Sequence, residues 1–180
     1  FVGNVRHKGW NDNYNEYKML FSESDSATLS EIEDSTFGIW DGQNKIHELF
    51  TNELFNAFKK IQIKNPEIDE RLYYETIISY HISELERAQM LKILLPFGIH
   101  HYSQSEYNGV EGLKSMPSLS YENELPKVYF LSKINMSSTL RSIPSGIPLR
   151  VFDILGLCSF CLTNYQPEID EFFEDRKSVV

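Results

Sequence analysis

Two arginines and an aspartate in the last third of the chain are the strongest candidates for a chemical role. Arg141 precedes a loop of Ser, Pro and Gly residues, and Arg150 and Asp153 follow it in a predicted helix over 148–157. Guanidinium groups bind phosphate oxygens in a bidentate manner, and free amides at a helix N-terminus also favour anions. Together with the backbone of Gly146 in the loop, this pattern indicates a site for a diphosphate.

The same spacing also has a simpler interpretation. Arg150 and Asp153 are three residues apart and therefore lie on one face of the helix. They could form a surface ion pair that contributes less than about 1 kcal/mol. A cation in the first turn of a helix is unfavourable with the helix dipole, so Arg150 needs a negatively charged partner there. The residues alone do not decide whether that partner is the aspartate or a ligand.

The elements around this segment are predicted to alternate between strands and helices. Strands are expected at 1–5, 99–103, 134–137 and 159–163, and short helices at 126–133, 148–157 and 167–173. This alternation predicts an α/β fold with a parallel sheet and crossover helices. In such folds ligands bind outside the carboxyl ends of the strands. The loop that contains Arg141 and Gly146 follows the third of these strands and is therefore well placed.

Between the first strand and the rest of the predicted sheet the pattern is helical. Apolar residues recur at helical spacing over 45–60, and a long helix is predicted over 65–95, with Asn and Pro at its start. Residues 11–45 are acidic and poorly periodic, and we expect at most a short helix there. The prediction is one domain over residues 1–180 that carries a helical insertion at about 14–95.

Composition argues against several classes of protein. The chain has 180 residues, a formal net charge of -9 and a pI of about 5.0. General nucleic-acid binding requires a basic surface, so we expect no nucleic-acid partner. No apolar run is long enough to span a membrane. We expect a cytoplasmic domain cut from a longer protein, since the chain opens and closes on strand-like residues.

Cysteine and histidine patterns indicate neither a redox site nor a metal site. Cys158 and Cys161 form a C-x-x-C, but they lie in an alternating apolar run that predicts a buried strand. We therefore expect both to be core residues in a reducing compartment. His100 and His101 are adjacent, whereas a two-histidine zinc motif on a helix spaces them four residues apart. No metal is expected.

A longer part of the chain resembles a known family. The similar segments are GIPLRVFDILG at 146–156, FCLTNY at 160–165 and PEIDEFFE at 167–174, with weaker similarity at 124–128, at 132–135 and in the opening FVGNV with Lys8 and Gly9. They resemble glycosyltransferases related to spore-maturation proteins, within the two-Rossmann-domain (GT-B) class. The resemblance implies a Rossmann-like, donor-binding C-terminal half, whose N-terminal acceptor domain is absent from this chain.

The resemblance also implies roles for particular residues. Related retaining enzymes carry two acidic residues separated by seven others. Asp153 stands at the second position, which binds the ribose hydroxyls, whereas Ser145 stands at the first. In the first loop Lys8 matches one member of a basic pair, and Asn4 stands where arginine is common. The implied donor site therefore has Gly3, Asn4, Lys8, Gly146 and Asp153 as binding residues, and Arg141 and Arg150 as the groups that stabilise the leaving diphosphate.

The implied reaction transfers a sugar from a nucleoside-diphosphate sugar to an unidentified acceptor, with no metal or other cofactor. Negative charge grows on the diphosphate as it leaves, and preorganised cations lower that barrier. The donor half alone would bind the nucleotide sugar without turnover. Two other functions stay open. One is a non-catalytic interaction module that kept the fold, which Ser145 permits, and the other is a sugar-nucleotide epimerase of the same architecture.

Overall fold

The computed structural model describes residues 1–38, 45–60, 69–143 and 145–173. Within these ranges the helices are α1 (Lys8–Leu20), α2 (Glu23–Thr36), α3 (Lys45–Leu49), α4 (Asn52–Lys59), α5 (Glu70–Leu94), α6 (Leu125–Leu131), α7 (Leu149–Gly156) and α8 (Ile169–Phe172). The strands are β1 (His101–Ser103), β2 (Ser115–Pro117), β3 (Asn135–Ser137) and β4 (Cys161–Thr163). A single 3-10 turn, Leu95–Phe97, follows α5.

Helices α1 to α5 enclose the larger hydrophobic core. Helix α5 is central, because it packs against each of the other four. Aromatic rings dominate the interior, and the rings of Phe58 and Tyr74, for example, stack with centroids 4.7 Å apart. The fully buried members include Tyr14, Leu29, Ile32, Ile46, Phe50, Leu54, Phe58, Tyr74, Ile77, Ile78 and Ile82. Burying a large apolar side chain contributes about 1.5–3 kcal/mol, so this cluster is a major source of stability.

Capping side chains set where three of these helices begin. Ser22, Thr51 and Asp69 each accept a hydrogen bond from the backbone amide three residues further on. The cap at Thr51 divides the helical pattern over 45–60 into α3 and α4. The long helix begins at Glu70, and its predicted start at 65–66 lies outside the described residues.

Over residues 11–38 the acidic segment is more ordered than the sequence indicates. The prediction of at most a short helix is wrong, because most of α1 and all of α2 lie there. Tyr14 and Tyr17 of α1 are buried, as are Leu29 and Ile32 of α2. Their packing partners lie on other helices, so contacts that exist only in the folded chain stabilise helices whose own periodicity is weak.

The strands form two parallel pairs. β1 pairs with β2, and β3 pairs with β4. Val2 adds one parallel bridge to Tyr102 of β1, where the Gly3 amide donates to the Tyr102 carbonyl at 2.9 Å. The fold is therefore mixed α/β with parallel pairing, as predicted. A continuous Rossmann-like sheet is not formed by the described residues, since each strand spans three residues and the two pairs are separate.

The helical region and the strands share core contacts. Leu91, near the end of α5, packs in a second cluster with Val5 and Val110. A third cluster joins α6 and α7 and includes Val2. The long helix therefore extends from the aromatic core to the segment that carries the strands. Among the described residues no helix is both long and apolar enough to cross a bilayer.

The two cysteines do not both lie in a buried strand, and that prediction is wrong. Cys158 is exposed in the turn after α7 and has a positive φ of 54°. Cys161 begins β4 and is half-buried. Burial raises the pKa of the Cys161 thiol to about 11. Both thiols are free, and the turn at Cys158 lets the chain enter β4 directly after α7.

Candidate functional site

Arg150 lies against Gly3, the residue that follows the bridge at Val2. A Cβ atom at position 3 would lie 3.2 Å from Nη1 of Arg150. The φ of Gly3 is 138°, a conformation that residues with a side chain rarely adopt. Glycine is therefore required here for both the backbone conformation and the approach of the guanidinium. Two predicted site residues from opposite ends of the chain are in contact.

Arg150 forms no ion pair with any carboxylate in the described part of the chain. Asp153 instead accepts the hydroxyl hydrogen of Tyr121, whose oxygen lies 2.9 Å from each carboxylate oxygen. That hydrogen bond raises the pKa of Tyr121. The simpler interpretation, a surface ion pair between Arg150 and Asp153, is therefore not what the structure shows. No described carboxylate therefore neutralises the half-buried guanidinium of Arg150.

Arg87 on α5 is a second cation next to Arg150. Its Nη1 donates to the carbonyl of Asn4 at 2.8 Å, and its Nη2 donates to the carbonyl of Ser138 at 2.7 Å. Asn4 comes shortly after the bridge at Val2, and Ser138 directly follows β3. One buried guanidinium thus joins the loops at the carboxyl ends of two strand segments, each of which has its own parallel partner. This is the kind of edge at which α/β proteins bind ligands.

The charge of Arg87 is not balanced by an ion pair with any described carboxylate. Burial, and to a lesser extent the nearby charge of Arg150, lower the pKa of Arg87 to about 10. Nη1 also contacts Nε2 of His7 at 3.2 Å. Burial and the Arg87 charge lower the pKa of His7, so its ring accepts this hydrogen bond in the neutral form. Arg87 and Arg150 therefore form a positive centre, and we use that name for the pair below.

A tyrosine hydroxyl is buried beside the positive centre. Tyr129 on α6 is 2% exposed, and among the described residues its hydroxyl has no hydrogen-bond partner of regular geometry. Burial raises the pKa of Tyr129, and the adjacent Arg150 charge opposes that rise. The hydroxyl is therefore a neutral donor near Arg150. Sequence reasoning did not single it out, because an aromatic residue in an apolar helix is ordinarily a core residue.

Arg141 differs from the expectation of a cation open to a ligand. Its Nε lies 3.1 Å from both carboxylate oxygens of Glu86 on α5, and its Nη2 donates to the Thr36 carbonyl at 2.8 Å. Its backbone amide donates to the Ser83 hydroxyl at 2.9 Å. The side chain is buried, and Glu86 neutralises its charge. Arg141 thus fastens the loop after β3 to α2 and α5.

The amide of Gly146 already donates to a carboxylate. Gly146 has a φ of 103°, and its N–H donates to Oε1 of Glu168 at 2.9 Å. Positive φ at this position requires glycine and turns the amide toward that oxygen. The prediction of an anion-binding amide therefore agrees with the local geometry, but the anion it holds is a side chain of the protein.

Asn4 and Lys8 have different surroundings. Oδ1 of Asn4 accepts hydrogen bonds from the Ser103 hydroxyl at 2.8 Å and from the Gln104 amide at 3.3 Å. The Asn4 side chain thus fixes its loop to the end of β1. Lys8 is the exposed first residue of α1 and forms no ion pair with the described residues. It lies just beyond the loop that contains Gly3 and Asn4.

His101 positions the Gly3 carbonyl. Its Nε2 lies 3.0 Å from that carbonyl oxygen, and its Nδ1 lies 2.9 Å from the Ser115 hydroxyl. The Nε2–H donates to the carbonyl, so Nδ1 accepts from the hydroxyl. Burial lowers the pKa of His101 and favours this neutral form. The residue is a structural histidine that holds Gly3 in place.

An apolar cavity of about 610 Å³ lies at the amino ends of the strand segments. Phe1, His100 and Ile134 line it, and each of these precedes a strand or the Val2 bridge. No residue of the positive centre lines this cavity, and neither does any of the predicted site residues. Tyr129, which lies beside the positive centre, and Val2, which precedes Gly3, do line it, so the cavity borders the edge that carries Arg87 and Arg150.

The described residues include no group of three or more His, Cys, Asp or Glu side chains arranged to hold a metal ion. No protein-family model matches the chain, and neither the curated proteins nor the solved structures include one that is significantly similar to it. The interpretation of the site therefore depends on its own geometry and on the residues quoted above.

Proposed function

We propose that this chain binds the nucleoside-diphosphate sugar of a glycosyltransferase, with the diphosphate at Arg150 and Gly3. The observation that carries the proposal is the half-buried guanidinium of Arg150, which forms no ion pair with a described carboxylate. It lies against the required glycine at the carboxyl end of a strand segment, and its charge acts on Arg87, a second arginine with no ion pair among the described residues. Phosphate oxygens accept bidentate hydrogen bonds from guanidinium groups, so a diphosphate suits this arrangement.

The proposed architecture is the donor half of a GT-B fold. It would place the strands in the order β2, β1, residues 1–3, β3, β4, and the ligand at the junction between residues 1–3 and β3. Two observations support that order. Val2 pairs with β1 on one side, and Arg87 joins the loop after Val2 to the loop after β3.

Asp153 is proposed to bind the ribose. It lies three residues after Arg150 on α7, an axial rise of about 4.5 Å, so the two side chains can contact adjoining parts of one nucleotide. A carboxylate accepts hydrogen bonds from both hydroxyls of a ribose. Arg150 and Asp153 both belong to the GIPLRVFDILG segment on which the family resemblance depends.

In the proposed reaction the nucleoside diphosphate leaves as the bond to the sugar breaks. Negative charge develops on the phosphate oxygen, and Arg150 stabilises it from a fixed position, which lowers the barrier. The acceptor and any general base would be provided by another domain. The proposed transfer requires no metal ion, because guanidinium groups supply the positive charge.

Calorimetric titration of the 180-residue chain tests this proposal. We expect binding of at least one of the uridine, guanosine or adenosine diphosphates, and at least about tenfold weaker binding in Arg150→Gln. Lys127→Gln, which removes one positive charge from the exposed face of α6, is the matched control and should bind as the wild type does. The proposal fails if none of the three nucleotides binds to the folded wild-type chain.

A non-catalytic binding module is the second candidate. Two features favour it: Ser145 stands in place of an acidic residue, and Glu168 occupies the Gly146 amide. Such a module would bind the nucleotide sugar but leave the sugar attached. Product analysis of the intact protein with a bound nucleotide sugar, with and without an acceptor, separates the candidates, since only a transferase releases free nucleoside diphosphate.

A further inference from the structure

We infer that Arg87 makes the proposed site select ligands with two phosphoryl groups over ligands with one. This inference deepens the proposed function and rests on it. Arg87 is a positioning residue: it acts through its charge and through the two loops that it joins. It lies in the helical region that the sequence sets apart from the site.

The first argument is the position of Arg87. Its two terminal nitrogens donate to the carbonyls of Asn4 and Ser138, and these residues follow different strand segments. A single planar group therefore holds the two loops together. A diphosphate brings two phosphoryl groups and can contact both loops, whereas a single phosphate contacts one.

The second argument is charge. Arg87 is 6% exposed, and within the part of the chain that the structure describes it forms no ion pair with a carboxylate and its Nε has no hydrogen-bond partner. The adjacent Glu86 is committed to Arg141, and Asp153 is bonded to Tyr121. Arg87 and Arg150 therefore repel each other in a region where water screens poorly. An anion that brings one charged group for each guanidinium relieves both, whereas one phosphoryl group relieves chiefly Arg150, which is the less buried of the two.

The test compares nucleoside diphosphates with the matching monophosphates, and pyrophosphate with phosphate, on the full chain. We express the result as the ratio of the monophosphate Kd to the diphosphate Kd. In Arg87→Gln this ratio should fall about tenfold or more, because the buried charge is lost. In Arg87→Lys the charge remains, and the ratio should stay within about threefold of the wild-type value. Circular dichroism and thermal melting confirm that each variant is folded.

The matched control removes the neighbouring buried ion pair. Glu86→Gln combined with Arg141→Gln disturbs the same loop from the same helix, but it leaves the net charge unchanged. We expect this double variant to be less stable and yet to keep the wild-type ratio. If it lowers the ratio as much as Arg87→Gln does, the selectivity is a general consequence of loop disorder and the inference is overturned.

The remaining outcomes are also decisive. If the wild-type chain binds diphosphates without preference over monophosphates, Arg87 selects nothing, although the proposed function survives. If Arg87→Gln does not fold, Arg87→Lys still decides, since loss of the preference in a folded, charged variant contradicts an effect of charge. If the wild-type chain binds none of the probes, the proposed function itself is wrong and this inference falls with it.

Discussion

Tyr121 holds the carboxylate that we propose for ribose binding. The tyrosine is 62% exposed, so its ring is free to move, and its hydroxyl satisfies Asp153 in the unliganded chain. A ribose has two hydroxyl donors, whereas the tyrosine has one. Binding would therefore replace one internal hydrogen bond with two external ones. The tyrosine is a competitor that the ligand must displace.

Removing the Tyr121 hydroxyl should strengthen nucleotide binding. In Tyr121→Phe we expect the Kd for the bound nucleoside diphosphate to fall by about threefold to tenfold, because the ribose no longer has to displace the tyrosine hydroxyl from Asp153. Pyrophosphate has no ribose, and its Kd should be unchanged, which provides the internal control. Calorimetry measures both. Weaker nucleotide binding would mean instead that the hydroxyl contacts the ligand.

At the scale of elements, α2 is joined to α1 and α5 by a partly buried carboxylate. Glu33 on α2 lies 3.6 Å from Nζ of Lys18 on α1 and 3.7 Å from Nε2 of His81 on α5. Burial, with a smaller contribution from Asp34, raises the pKa of Glu33 from 4.5 to about 7. Burial lowers the pKa of His81 to about 4. Both side chains are therefore favoured in their neutral forms.

The stability conferred by a neutral Glu33 should depend on pH. Its pKa is higher in the folded chain than in the unfolded chain, so this contribution is complete below about pH 4.5 and is lost as the pH rises through about 7. Glu33→Gln stays neutral, and we expect its stability relative to the wild type to increase over that interval. Urea denaturation measures the difference. The exposed Glu31→Gln on the same helix corrects for the loss of one charge, and equal slopes for the two variants would contradict the prediction.

At the scale of the whole molecule, α5 connects the two regions of the chain. Tyr74, Ile78 and Ile82 lie in the aromatic core, and Leu91 lies in the cluster with Val5. Arg87, between them, reaches the loops at the proposed site. A helix that is packed at both ends transmits the stability of one region to the other, so we expect the described regions to unfold together.

Leu91→Ala should destabilise both regions by the same amount. Leu91 is fully buried, and a Leu→Ala change in a core costs about 2–5 kcal/mol. Hydrogen exchange should show equal losses of protection in α4 and in β3. Leu72→Ala is the matched control, because Leu72 lies on the same helix and is 62% exposed. Rapid exchange confined to β3 would show that the regions unfold separately.

The elements that the sequence predicts well are those whose signals are local. Proline at the start of α6 and α7, and the short strand-like segments at 134–137 and 159–163, place these elements and β3 and β4 within a few residues. The helices α1 and α2 depend on partners elsewhere in the chain. Their buried residues contact α5 and α4, and no local pattern encodes such contacts.

The site is predictable to a similar extent. Gly3 and Arg150, both named from the sequence, lie in contact, whereas the different roles of Arg141 and Arg87 are decided by distant partners. Arg141 is neutralised by Glu86, far away in the sequence. One signal for Arg87 was present: it lies four residues before Leu91 and therefore on the buried face of α5. A charge on a buried helix face indicates a structural or binding role.

The contact between Glu168 and the Gly146 amide has a consequence for exchange at the proposed site. A phosphate that binds this amide would displace the Glu168 carboxylate, and the carboxylate would bind the amide again when the phosphate dissociates. Because Glu168 belongs to the same chain, its local concentration does not fall on dilution. This intramolecular competition would weaken binding of the product nucleotide and favour its rapid release from the proposed site.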